Sequence, residues 1–207
     1  DLQVLHNRFS GTGTGIRLAA ASQGLIAHND IGTGTTGIDL AFSLAGPILD
    51  NAVHGAATGV NYVTKATLVS NRIYGNTVGV RSTVAGSDGL GFVGGTPLPG
   101  IVEGRLQNEI SGNTTGVVLV NATLQAQWIH NNTTGVSGSG SVGGSDFEHA
   151  NLIESNTTGV NVTGPIQFNR IARTTVGIAA TSGQLITHNL IYRNTGTGVR
   201  VAGKADV

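Results

Sequence analysis

Apolar and polar positions recur along the chain in one short grammar, [IL]-x-x-N-x-I-x-x-N-T-x-G-V-x-[LV], spelled clearly as LVSNRIYGNTVGV from Leu68 to Val80. Its second half returns as NTTGV at Asn113, Asn132 and Asn156. Anchored on the glycine, the pattern appears at Gly15, Gly37, Gly59, Gly79, Gly116, Gly135, Gly159, Gly177 and Gly198, at intervals of 22, 22, 20, 37, 19, 24, 18 and 21 residues. Alternation in pairs such as Ile38 with Leu40 and Val160 with Val162 predicts strands, and no segment carries a helical period. A unit near 21 residues is too small to bury its own apolar side, so neighbouring units must stack to complete a core. The Thr-Gly-Val step is expected to close one coil and open the next strand, with the glycine supplying a backbone bend.

A second column precedes each anchor: Asn7, Asn29, Asn51, Asn71, Asn108, Asn151, Asn169 and Asn189, with Gln127 standing in once. Asparagine tolerates the left-handed region and its amide bonds to backbone, so this column predicts a tight corner. Stacked coil on coil, the amides can bond one another as a ladder. These residues resemble the right-handed parallel β-helix of the pectin-lyase-like superfamily, and the resemblance spans essentially the whole chain. It implies one all-β, single-stranded solenoid over residues 1–207, of about nine coils, with the asparagine in the turn between the second and third strands of each coil. At the ~4.8 Å strand spacing the rod would be on the order of 40 Å long. Two insertions are expected as loops, at residues 84–100 and 137–147. The coil pattern begins by Val4 and continues almost to Val207. The segment is therefore expected either to continue in a longer parent chain or to associate end to end.

Composition narrows the function classes. Eleven basic and eleven acidic residues leave a formal net charge of zero, which gives no footprint for nucleic acid. No apolar run is long enough to be read as a membrane-spanning helix. The absence of cysteine removes disulfides and thiolate metal sites, and no cofactor is expected.

Stacking makes each outward column a candidate site. The column after the anchor aliphatic reads Arg17, Asp39, Asn61, Arg81, Val118, Ser137, Asn161, Ala179 and Arg200. Enzymes of the resembled superfamily commonly carry their carboxylates on this face, which makes Asp39 and Arg81 the catalytic candidates and Arg17 and Asn61 ligand candidates. A glycosidase needs two carboxylates; only one stands here, and Arg17 with Asp39 is expected as a surface ion pair. The dense DFEH stretch adds Asp146, Glu148 and His149 as further catalytic candidates. His6, His28 and Asp50, just before the ladder on successive coils, are suitable metal ligands by type, although a polar turn is the reading expected for them. Trp128, His130 and Glu154 could form a sugar-stacking patch, although ordinary surface aromatics are the reading expected for them, and Phe92 in the first insertion is a further apolar anchor.

Three functions are carried from this text. The leading one is a non-enzymatic stalk or adhesin-like segment outside the cell or on its surface, with a polysaccharide or cell-surface glycan as partner. The alternative is a polysaccharide lyase, hydrolase or epimerase. The third is an ice-binding rod, suggested by Thr14, Thr36, Thr58, Thr115, Thr134, Thr158 and Thr197 before the glycines, with Val78, Val176 and unequal coil lengths expected to interrupt the array.

Overall fold

A computed structural model describes residues 1–64, 66–83, 86–90 and 107–203, those of 86–90 by backbone alone. Every regular element among them is a strand, and every ladder is parallel. The chain is a parallel β-solenoid with three strand-bearing sides. One coil shows the plan: Ser22–Ala27 lies on sheet 1, Asp30–Thr33 on sheet 2 and Thr36–Leu40 on sheet 3. Sheet 2 stacks nine strands from Arg8–Gly11 to Leu190–Tyr192. Sheet 3 carries a matching path of strands from Thr14–Arg17 to Thr197–Ala202.

Inward positions build a stacked aliphatic core. Ile31, Val53, Ile73, Ile110, Ile129, Ile153 and Ile171 form one buried column, and Ile38, Val60, Val80, Val117, Val136, Val160 and Ile178 another. Each such side chain removed from water contributes roughly 1.5–3 kcal/mol, and only the coils above and below provide the cover.

At the corner between sheets 1 and 2 the left-handed residue is not the ladder asparagine but the one before it. His6, His28, Asp50, Ser70, Ala126, Phe168 and His188 adopt φ between 51° and 56°. Turning one residue early leaves the asparagine free to aim its amide along the rod. Asn51 shows the result: its backbone N–H and Nδ2 donate to Asn71 Oδ1 at 3.0 and 2.9 Å, and Nδ2 also donates to the Ile26 carbonyl. Gln127 keeps the ladder running, since its Oε1 accepts from Asn108 and its backbone N–H donates to Asn151. The corner between sheets 2 and 3 repeats the device. Gly55, Gly75, Gly112, Asn131, Ser155, Arg173 and Arg193 are left-handed there. A second ladder of buried Asn76, Asn113, Asn132 and Asn156 follows them.

The anchor glycines do not bend the chain. They lie within sheet 3 strands, and a Cβ on Gly59 would fall 2.5 Å from the Gly79 carbonyl oxygen and 2.8 Å from Ile73 Cγ2. Gly37, Gly79, Gly116, Gly135, Gly159 and Gly177 meet the next anchor's carbonyl in the same way, at 2.3 to 2.6 Å. Glycine is required here by the close approach of stacked backbones, not by a positive φ.

Coil length varies at the third corner. Ser137 to Val142, expected as a loop, continues strand Thr134–Val142, which pairs with Thr115–Leu124. The Ser-Gly text suits a strand that must wrap a corner: a Cβ on Gly138 or Gly140 would fall 2.1 Å from the Leu119 or Ala122 carbonyl oxygen. The excursion that follows covers 143–149. Of the first insertion, Gly86–Leu90 is a strand paired to Thr115–Leu124; Phe92 and the remainder lie outside the described residues.

Candidate functional site

On sheet 3 the expected ion pair forms, with Arg17 Nε 3.3 Å from Asp39 Oδ2. Asn61 Nδ2 donates to the other oxygen, Asp39 Oδ1, at 2.8 Å. Both oxygens are therefore engaged, and Arg81 stacks one strand further on beside Asn61. No second carboxylate joins this column among the described residues.

The metal candidates do not converge. The His6 and His28 rings stack with centroids 5.0 Å apart and planes at 12°, so faces rather than nitrogen lone pairs meet. Among the described residues no three His, Cys, Asp or Glu side chains are grouped to hold a metal ion. The DFEH stretch is a self-stapled turn. Asp146 Oδ1 accepts the backbone N–H groups of Glu148 and His149 and lies 2.6 Å from His149 Nδ1. The side-chain bond to His149, above all, holds the Asp146 carboxyl below its ordinary value. Phe147 packs edge-on against Phe168 at 5.6 Å.

The richest chemistry stands on the outer face of sheet 2. There the column directly after the ladder reads Arg8, Asp30, Ala52, Arg72, Glu109, Trp128 and Leu152 in successive register. Two strand positions further lie His54, Tyr74, Ser111, His130 and Glu154. Carboxylates bridge the two columns. Asp30 meets Arg8 Nε at 3.5 Å and His54 Nε2 at 2.8 Å. Glu109 meets Arg72 Nε at 3.3 Å and His130 Nε2 at 3.2 Å. Glu154 accepts Trp128 Nε1–H at 3.1 Å and pairs with Arg173 Nη1 at 2.8 Å.

Rings are ordered by the same lattice. His54 stacks on Tyr74 at 5.0 Å, and the Arg72 guanidinium stands 5.3 Å from the Tyr74 ring centre. Trp128 stacks on its strand neighbour His130 at 4.2 Å. Glu154 thus fixes the indole edge while His130 covers one indole face. Trp128 also lines a groove of about 600 Å³, together with Asp50, Asn51, Ala52, Ser70, Arg72, Gln107 and Glu109. That volume lies within the ~300–1,000 Å³ range of small-ligand sites.

Known proteins offer no guide here. No family model matches the chain, and neither a curated protein nor a solved structure does.

The expected trio of Trp128, His130 and Glu154 is brought together. Glu109, Arg72, Arg173 and Asp50 complete its surroundings and were not foreseen there. Reading the column directly after the ladder would have found Arg72, Glu109 and Trp128 as neighbours despite the 37-residue step between Arg72 and Glu109.

A different regularity runs along sheet 3. Thr14, Thr36, Thr58, Val78, Thr115, Thr134, Thr158, Val176 and Thr197 are direct register partners through every coil. Unequal coil lengths do not interrupt this column, because they are absorbed elsewhere in each coil; Val78 and Val176 do. Exposed Thr77, Thr114, Thr133, Thr157 and Thr175 form a second rank beside it.

Proposed function

We propose that this chain is a non-enzymatic rod that holds a carbohydrate on the outer face of sheet 2, as part of a stalk or adhesin-like protein acting outside the cell. The observation that carries this reading is Trp128: an indole held at its edge by Glu154 and on one face by His130, and presented to a groove that also holds hydroxyl, amide and charged side chains. Aromatic faces take the apolar face of a sugar ring while polar neighbours bond its hydroxyls. Against catalysis stands the engagement of Asp39, Glu109 and Glu154, each held by two partners. A proton-transferring carboxylate works best with an oxygen free for substrate. The coil pattern and its ladders keep the resemblance to the pectin-lyase-like superfamily as part of this proposal.

Incubation with neutral and charged polysaccharides followed by size exclusion tests the reading. Co-elution of intact polymer that is lost in Trp128→Ala is expected. Shortened polymer would replace it with the polysaccharide-active enzyme reading. The threonine column, in continuous register and interrupted at Val78 and Val176, favours a second reading, a rigid hydroxyl and methyl array facing an ordered surface such as ice.

A further inference from the structure

Resting on the carbohydrate reading, we infer that the groove beside Trp128 selects a sugar bearing a protonated amine, an amino-sugar unit, over a uronate. The argument is one of charge placement. Among the described residues three charged side chains line the groove: Asp50, Arg72 and Glu109. Arg72 and Glu109 neutralise one another through the 3.3 Å contact of Nε with Oε2, and Glu109 is further engaged by His130. Asp50 remains, exposed and with no ion-pair partner among the described residues. Among the described residues, therefore, one uncompensated carboxylate faces the ligand space.

The second contribution is the indole. With His130 on one face, Trp128 offers its π-system to the groove, and an aromatic face attracts a cation and gains nothing from an anion. Asp50 stands on the coil three strand steps from Trp128, about 14 Å along the rod, so an oligomer with one ring stacked on Trp128 and the ammonium of another unit at Asp50 meets both preferences; Ser70 and Gln107 lie on the two coils between. A uronate would instead bring its charge against Asp50, and could recruit Arg72 only by competing with Glu109 for it.

Asp50 can be altered without disturbing the corner that carries it. It occupies the left-handed region at φ 51°, which asparagine tolerates well, so Asp50→Asn removes the charge and keeps the turn. Calorimetric titration at low salt, at a pH where the amine is protonated, would compare oligomers of glucosamine, N-acetylglucosamine and galacturonate on the wild type, Asp50→Asn and Trp128→Ala. The expected result is preferential binding of glucosamine oligomers, weakened about tenfold or more by Asp50→Asn, as for loss of a charge-assisted hydrogen bond. N-acetylglucosamine oligomers should be indifferent to that change, and Trp128→Ala should weaken both. Equal binding of the glucosamine and N-acetylglucosamine oligomers that Asp50→Asn leaves unaltered would overturn the amine assignment while leaving the carbohydrate site standing. Preference for galacturonate would overturn it as well. Binding of none of the three would remove the amine assignment and count against the carbohydrate reading itself.

Discussion

Ser82 is a polar residue in an apolar place. Its register partners on the neighbouring coils are Tyr62 and Leu119, and both are buried. Ser82 is itself 0% exposed, and its Oγ finds no hydrogen-bond partner among the described residues. Tyr62 solves the same problem locally, donating from its hydroxyl to the Ala66 carbonyl at 2.8 Å and accepting from the Ala66 N–H. A buried hydroxyl without a partner costs about 1–3 kcal/mol, so Ser82→Ala should raise stability by about 1 kcal/mol in urea unfolding. A loss of stability would show that the hydroxyl is satisfied. The repeat grammar marks Ser82 as a polar residue at its final aliphatic position, and stacking puts it in line with Tyr62 and Leu119.

At the scale of the element, the corner is the unit that repeats. The Asn132 side chain makes five hydrogen bonds: its Nδ2 donates to Ile110 O, His130 O and Asn156 Oδ1, and its Oδ1 accepts the backbone N–H and Nδ2 of Asn113. Asn132→Ala strands several buried groups at once and should destabilise by about 3 kcal/mol. The same change at Asn189, which sits part-buried in the last stacked coil, should cost less than half as much. Equal losses in denaturant melts would mean that the ladder contributes no more in the middle than at the end. The first ladder was legible in sequence because one residue type recurs at one spacing. The second was harder to see: Ala56 and Thr174 interrupt it, and Asn131 beside Asn132 blurs the column. The anchor glycines were misread because the carbonyl that excludes a Cβ belongs to another coil. Likewise, the Ser-Gly run at 137–142 carries a loop's composition, and only its pairing with Thr115–Leu124 makes it strand.

Across the whole molecule, the solenoid was readable from period alone, whereas the groove was not, since its walls come from four coils and Glu109 follows a long insertion. The threonine column is likewise a property of the assembled rod. If it orders water, purified protein should show thermal hysteresis and shape growing ice crystals, and Thr134→Tyr should reduce both without lowering the unfolding midpoint. Freezing at the bulk melting point with unshaped crystals would dismiss that reading. The asparagine ladders also give the rod a direction. Through the first, each coil donates to an oxygen on the coil that follows it in sequence, from Asn7 to Asn29 and on to Asn169 and Asn189. The two ends of a stack are therefore chemically unlike: the coil at the amino-terminal edge offers ladder oxygens that no earlier coil uses, and the coil at the carboxyl-terminal edge offers amide hydrogens that only a following coil can satisfy.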